Sequence, residues 1–408
     1  MSQQPRENFR LMIVAGETSG DAHAASLVAA LRELAPETSF EFFGGTQGEM
    51  RAAGVESVVR TDELSITGLV EIASALPRFL RAYRELKRAG VERKPDAVVL
   101  VDFPDFNLRL ARFFHARGLK IIYYVSPQLW AWRGYRVRNI RRDVDLLLAL
   151  LPFEPAWYAA RGVRHVEFVG HTLATEVRPT DNRAEFCQRH GLDATRTIIA
   201  LLPGSRRKEL ERILPPMLEA AKIISRAHAG AQFVVALAPA RTDTEAERII
   251  SSVVNSNDAA LASVLRLVRG ETRDALSASD AAAVASGTAT LEAALTQTPL
   301  VVVYKESKIN WHVLGSLITT EHYGLVNLVA GERVAAELMQ YDFTPAALAR
   351  ELIHLLDPAH NARTRARLRA ATARLGNKSA SRRAAEAILR SLREWRAGVR
   401  RERGAEED

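Results

Sequence analysis

The sequence is short of the residues that staple a chain or thread it through a membrane. One cysteine, Cys187, stands among 408 residues. No internal disulfide can form, and nothing near it suggests a metal site or a catalytic pair, so it reads as a small apolar filler. No apolar run reaches the roughly 18 residues that span a bilayer. The longest, such as Leu146–Leu151, are strand-sized. The ten histidines show no H-x-x-x-H or H-E-x-x-H spacing, so neither a structural nor a catalytic metal is expected. The stretch before Arg10 is polar and Leu11–Ala15 is short, which excludes a secretory leader core and predicts a cytoplasmic protein. No short tandem repeat is visible.

What is present suits a globular protein. Apolar residues make up 47% and charged residues 25%, and the length exceeds one ordinary core, so two domains are expected. The net charge of +8 favours an anionic partner: nucleic acid, a phosphorylated substrate or an anionic membrane surface. Charge alone does not choose among them.

Strand-sized apolar runs alternate with helical stretches. Leu11–Ala15, Phe40–Phe43, Ala97–Val101, Lys120–Val125, Asp145–Leu150 and Val166–Val169 read as strands in the first half. Ala22–Leu34, Leu76–Gly90 and Leu108–Arg117 read as helices between them. The pattern pauses at His171–Asn182, the predicted hinge, and restarts with Thr197–Leu202, Gln232–Leu237, Leu265–Val268, Ala281–Ala285 and Leu300–Tyr304. Pro215-Pro216 is expected to end one helix at Leu214 and begin another. Alternation of this kind implies α/β architecture with mostly parallel sheets. Residues 10–175 and 185–345 form two doubly wound, Rossmann-like domains, and 346–400 form charged helices that pack back across them or onto a partner subunit. Two such halves facing a central cleft describe the GT-B type of glycosyltransferase, some nucleotide-sugar epimerases and, loosely, two-domain dehydrogenases.

Four strand ends carry the chemistry. Gly16-Glu17-Thr18-Ser19-Gly20-Asp21 is a Gly-bounded turn before a helix, suited to a sugar or phosphate, but it is not the dinucleotide G-x-G-x-x-G. Pro203-Gly204-Ser205-Arg206 places a cation at a helix start, where the dipole disfavours it. Arg206 makes sense there if it forks onto a diphosphate. Ser286-Gly287-Thr288 follows Ala281–Ala285, and Glu292 shares a helix face with Thr288. A carboxylate there can accept both ribose hydroxyls, and the hydroxyls and amides suit a diphosphate. Asp102 follows the strand Ala97–Val101 directly and is the candidate base for deprotonating an acceptor hydroxyl, while Asp105 is the alternative cap of the next helix.

Two further segments are ambiguous. Tyr124–Arg142 interleaves Trp130 and Trp132 with arginines, which fits nucleic acid, a lipid-tailed sugar phosphate or a plain basic helix. No known nucleic-acid module is visible, and the Gly turns argue against that partner. Leu64–Lys87 sets apolar Leu69, Val70, Ile72, Ala73, Leu76, Phe79 and Leu80 among cations, as a membrane-surface helix or a core-packing one would.

Taken together, VAGETSGD (14–21), VDFPDFN (101–107), YYVSPQLWAWR (123–133), LLLALLPFE (146–154), FVGHTL (168–173), LLPGSRRKEL (201–210), ASGTATLEAAL (285–295) and NLVAGE (327–332) resemble the lipid-A-disaccharide synthases, inverting GT-B glycosyltransferases, from about Leu11 to about Ala387. The resemblance implies transfer of 2,3-diacylglucosamine from its UDP conjugate to the 6-hydroxyl of 2,3-diacylglucosamine 1-phosphate, forming a β-1,6 disaccharide and UDP in lipid A biosynthesis. It implies no cofactor and a peripheral position on the anionic inner face of the cytoplasmic membrane; a homodimer is left open. By position, Asp102 is the implied base and Arg206 the diphosphate-stabilising residue. Ser205, Ser286, Gly287, Thr288 and Glu292 are implied nucleotide contacts, and Asn327 lies near the uridine. Gly16, Glu17, Ser19 and Asp21 are implied on the acceptor side, with Ser126, Trp130 and Trp132.

Overall fold

The computed structural model describes residues 7–64, 69–255, 258–307, 311 and 320–406, with the side chains of 63–75 and 399–406 left aside. The chain divides into two compact units, residues 1–172 with 378–408, and residues 173–377.

Unit 1 runs β1 (Asn8–Ala15), α1 (Thr18–Leu34), β2 (Ser39–Thr46), α2 (Gly48–Ala52), β3 (Glu56–Arg60), α3 (Leu69–Arg93), β4 (Ala97–Val101), α4 (Pro104–His115), β5 (Ile121–Tyr124), α5 (Val137–Asp143), β6 (Leu146–Ala149), α6 (Glu154–Ala159) and β7 (Val166–Phe168). The strands form one parallel sheet in the order β3-β2-β1-β4-β5-β6-β7. All five residues of β4 are buried. That continuous apolar run is what a parallel strand covered on both faces requires. Two clusters fill the faces. One joins Leu11, Ile13, Val99 and Val101 to α1, and the other joins Met12, Val98 and Leu100 to α3 and α4.

Unit 2 runs α7 (Leu173–Glu176), α8 (Arg183–His190), β8 (Ile198–Leu202), α9 (Arg207–Ala227), β9 (Gln232–Leu237), α10 (Asp243–Val253), α11 (Ala259–Val264), β10 (Leu265–Arg269), α12 (Thr272–Ser277), β11 (Ala281–Ala285), α13 (Ala289–Leu295), β12 (Leu300–Tyr304) and β13 (Ala336–Met339). Its parallel sheet has the order β10-β9-β8-β11-β12-β13. Each unit is thus a doubly wound, Rossmann-like α/β layer structure. The order reverses between β1 and β4 in unit 1 and between β8 and β11 in unit 2. At such switch points the loops leaving adjacent strands part and open a crevice at the carboxyl edge.

Three features differ from the sequence expectation. The edge strands β3 and β13 were not foreseen. The helix α9 runs unbroken through Pro215 and Pro216. The two prolines forfeit helical hydrogen bonds, but Ile213, Leu214, Met217 and Leu218 are fully buried around them, and that apolar seam holds the helix together. Residues 346–400 are shared between the two units. The helices Pro345–Leu355 and Pro358–Ala373 belong to unit 2, while Ala380–Glu406 folds against α1 of unit 1 with Ala384, Ala385 and Ile388 fully buried. Finally, α3 starts at Leu69, and of its expected apolar face Leu69, Val70, Ile72 and Ala73 fall outside the described side chains. Among the described residues no helix is long and apolar enough to cross a membrane.

Candidate active site

In unit 1 the switch point lies between β1, which runs into Gly16, and β4, which runs into Asp102. Ala15 and Val101 are register partners, so the two turns start side by side. Asp102 and Phe103 both take left-handed backbone conformations, each at φ +50°. Two such non-glycine residues in succession cost about 1–3 kcal/mol each and persist only where their surroundings hold them. Three groups do so here. The Asn107 side-chain amide donates to the Asp102 carbonyl at 2.8 Å and to the Val101 carbonyl at 3.2 Å. The Tyr123 hydroxyl donates to the same Asp102 carbonyl at 2.6 Å. The Asp102 amide donates to the Tyr124 carbonyl at 3.0 Å.

Phe103 is turned onto Gly16: a Cβ at position 16 would stand 2.2 Å from its ring. The half-buried Asp102 carboxyl has its pKa raised to about 6, first by burial and then by the nearby Glu17 carboxylate. A base of that strength is ionised at neutral pH yet proton-hungry enough to accept from an alcohol in the transition state. Glu17 and Ser19 are exposed at the start of α1. The His23 ring centre lies 6.1 Å from that of Tyr124; His171 is pushed down to about 4 by burial and by His23, and burial lowers His23 as well. His171 is therefore uncharged at neutral pH.

The loop after β5 is pinned from beneath. Glu154, at the start of α6, is buried, and its Oε1 accepts from the Trp130 indole N–H at 3.1 Å while its Oε2 accepts from the Leu151 amide at 3.0 Å. Ser126 donates to the Tyr158 hydroxyl at 3.1 Å, and Tyr158 donates to the Pro127 carbonyl at 3.1 Å. Burial raises the Glu154 carboxyl to about 7 against the opposing hydrogen bonds. Trp132 is 41% exposed, with the Arg133 guanidinium 4.0 Å from its ring centre.

In unit 2 the loops after β8 and β11 border a hollow of about 630 Å³. Ser205, Arg206, Ser286, Gly287, Thr288 and Glu292 all line it. The Arg206 side chain is 81% exposed and its guanidinium pairs with Glu209 Oε1 at 3.4 Å. The amides of Ser205 and Arg206 both donate to Glu209 Oε2, at 3.0 and 3.1 Å. Gly204 sits at φ +107°, where a Cβ would be 2.4 Å from that same oxygen. Glu292 accepts from Arg273 at 3.1 Å, and Arg273 also donates to the Glu176 carbonyl at 2.8 Å. The Ser286 hydroxyl donates to the Tyr323 carbonyl at 2.9 Å.

A sequence profile of the lipid-A-disaccharide synthetase family matches residues 11–391. The chain belongs to this family. Lipid-A-disaccharide synthase from Myxococcus xanthus is 44% identical over 384 residues, 94% of this chain and 97% of the relative. The enzyme of that name from Geobacter metallireducens is 41% identical over 386 residues, covering 94% and 98%. Among solved structures, a putative UDP-N-acetylglucosamine 2-epimerase from Listeria monocytogenes superposes with a TM-score of 0.62 at 15% identity, covering 95% of this chain and 97% of that one. A glycosyltransferase from Rickettsia africae gives 0.59 at 10% identity, covering 96% and 99%. These likenesses mark the GT-B fold, and the sequence relatives mark the lipid-A-disaccharide synthases within it.

Against that family background, several expected site residues have structural duties instead. Asp21 is 1% exposed, and its carboxylate accepts from the amides of Gln47 and Glu49 at 2.7 Å and Met50 at 3.2 Å. It fastens the start of α2 to α1 rather than facing an acceptor. Asn327 is fully buried and spends its amide on the Ala335 carbonyl and Glu337, both at 2.8 Å, and on the amides of Val334 and Ala335 at 2.8 and 2.9 Å. No group remains for uracil, since a side-chain amide so engaged has both N–H donors and its oxygen committed. Ser126 and Trp130 are pins of the loop, and of the three expected acceptor-side residues there Trp132 is the exposed one. Sequence reasoning missed Asn107, Glu154, Arg273 and Glu209. Asn107, Glu154 and Arg273 act through contacts whose partners the local pattern does not reveal, whereas the spacing of Glu209 from Arg206 is that of a helix capping box and was the available signal.

Proposed function

We propose that the chain transfers 2,3-diacylglucosamine from its UDP conjugate to the 6-hydroxyl of 2,3-diacylglucosamine 1-phosphate, with inversion and without a divalent cation. The acceptor oxygen attacks the anomeric carbon and passes its proton to Asp102. The bond from that carbon to the diphosphate oxygen breaks, and its electron pair leaves with UDP. Arg206 neutralises the growing negative charge, helped by the positive end of α9. Ser286, Gly287, Thr288 and Glu292 hold the nucleotide, with Arg273 fixing Glu292. Gly16, Glu17, Ser19 and Trp132 border the acceptor.

The observation that carries this reading is Asp102: a family member holds a carboxyl group with a pKa of about 6 on a strained turn at a switch point. Such strain is kept at functional sites when it aims a side chain. The exposed Leu76 and Leu80 of α3, beside Arg81 and Arg84, support peripheral attachment to an anionic inner membrane face. The reading is tested by UDP release from purified protein. Release should require both the UDP-sugar and the acylated sugar phosphate and should persist in EDTA. Turnover of UDP-N-acetylglucosamine with no acceptor would instead favour an epimerase.

A further inference from the structure

Unit 1 has a second, smaller hollow of about 160 Å³ between α4 and the segment leading through α5. Arg109 and Arg112 enter it from α4, three residues apart on one helix face. Arg136, Asn139 and Arg142 enter from the other side, again at steps of three. The one carboxylate on its wall is Asp105, at the first turn of α4, and it is already paired with Arg133 at 3.1 Å and with Arg136. Arg142 is paired with Asp143 at 2.6 Å. Among the described residues, the guanidiniums of Arg109 and Arg112 have no carboxylate partner.

Four guanidiniums border one small hollow, and the two without a carboxylate partner, Arg109 and Arg112, are exposed to solvent and open to an anion. Guanidinium groups fork onto phosphate oxygens in a planar, bidentate way. The surroundings narrow the phosphate's carrier. Pro104 and Asp105, on the rim, follow Asp102 by two and three residues. The helix α3 lies against α4, its Tyr83 hydroxyl donating to the Arg109 carbonyl at 3.3 Å, and one turn and two turns earlier it exposes Leu80 and Leu76. A basic hollow therefore adjoins both the candidate base and an exposed apolar stripe.

We infer that this hollow binds the phosphomonoester of the acylated acceptor, holding the sugar while its free hydroxyl reaches Asp102. The assignment rests on the acceptor reading above and names the part of the acceptor these arginines recognise. A phosphomonoester, with close to two negative charges at neutral pH, answers this concentration of cations better than the single charge of a phosphodiester headgroup.

The test uses the full chain in detergent mixed micelles with saturating UDP-sugar. Arg112→Ala and the double variant Arg109→Ala/Arg112→Ala remove guanidiniums that make no ion pair in the fold. Arg138→Ala removes an equal charge from the exposed α5 surface outside the hollow and serves as control. The acceptor KM should rise about ten-fold or more per arginine, with donor KM unchanged and Arg112→Lys recovering part of the loss. An acceptor analogue with a free 1-hydroxyl in place of the phosphate should have the same KM for wild type and variants. The assignment is overturned if the variants leave the phosphorylated acceptor's KM unchanged, or raise both acceptors' KM equally. It is also overturned if they weaken only binding to phosphatidylglycerol vesicles, which would make the hollow a headgroup site. Equilibrium binding of the acceptor to the same variants needs no turnover. A loss of affinity there with no UDP release from wild type would retain the phosphate site and reject the transferase reading.

Discussion

Replacing Asp102 by Asn should cripple the chemistry while strengthening the fold. The side chain keeps its shape, and its oxygen can still accept from the Phe103 amide that now favours the carboxylate. What disappears is the charge. Burial and Glu17 hold the Asp102 carboxyl near pH 6 rather than at its ordinary 3.8. The folded state therefore binds a proton more tightly than the unfolded chain does. The penalty for carrying the charge is absent below pH 3.8, grows between 3.8 and about 6, and is complete above about 6. At its full extent it is at most about 3 kcal/mol. The Asn variant should thus unfold no later than wild type near pH 4 but several degrees later at pH 8, on the order of 5–10 °C.

Tryptophan fluorescence can follow this, because Trp130, Trp132, Trp157 and Trp395 all lie in unit 1, with Trp311 alone in unit 2. Loss of the base should lower kcat by about 10²–10⁴-fold, with UDP affinity intact. Wild-type kcat/KM should rise with pH through about 6 as the base ionises. The reasoning is refuted if the variant turns over normally, or if its stability relative to wild type is the same at pH 4 and pH 8.

Arg206→Ala should lower kcat by about 10²–10³-fold through lost stabilisation of the leaving diphosphate, measured as UDP release, while unit 2 unfolds as before because the side chain is 81% exposed. Gly16→Ala places a methyl group 2.2 Å from the Phe103 ring. It should displace that ring and the Asp102 turn, costing about 1–3 kcal/mol of unit 1 stability and most of the turnover, read by thermal melts and the same assay.

Much of this arrangement was legible in the sequence because strands in a parallel sheet announce themselves as continuous apolar runs. The strand Ala97–Val101 is such a run, and the polar residue directly after it, Asp102, had to emerge at the sheet's carboxyl edge. The same logic located Ser205, Arg206 and Ser286–Thr288 on the loops beside the second switch point. The failures share one cause: a polar side chain does not declare its partner. Asp21 and Glu17 look alike in the turn, yet the first is consumed by amides of the 47–50 segment and the second is left exposed. Asn327 is consumed by the 334–337 segment in the same way. Asn107 was legible only as the last residue of the VDFPDFN segment, and the fold shows it bracing the Asp102 carbonyl. The edge strands β3 and β13 are short and partly polar, so their pattern does not stand out from loops. Pro215-Pro216 misled because local propensity was set against an apolar seam whose burial is a tertiary fact.

The account rests on direct displacement by an acceptor hydroxyl that Asp102 deprotonates. The stereochemistry of one turnover tests it most directly. Purified protein mixed with stoichiometric UDP-sugar and acceptor should yield one UDP per disaccharide, and proton NMR of the product should display the large coupling of a β-anomeric hydrogen where the donor had an α one. An α-linked product would contradict single displacement and remove Asp102 from its assigned role.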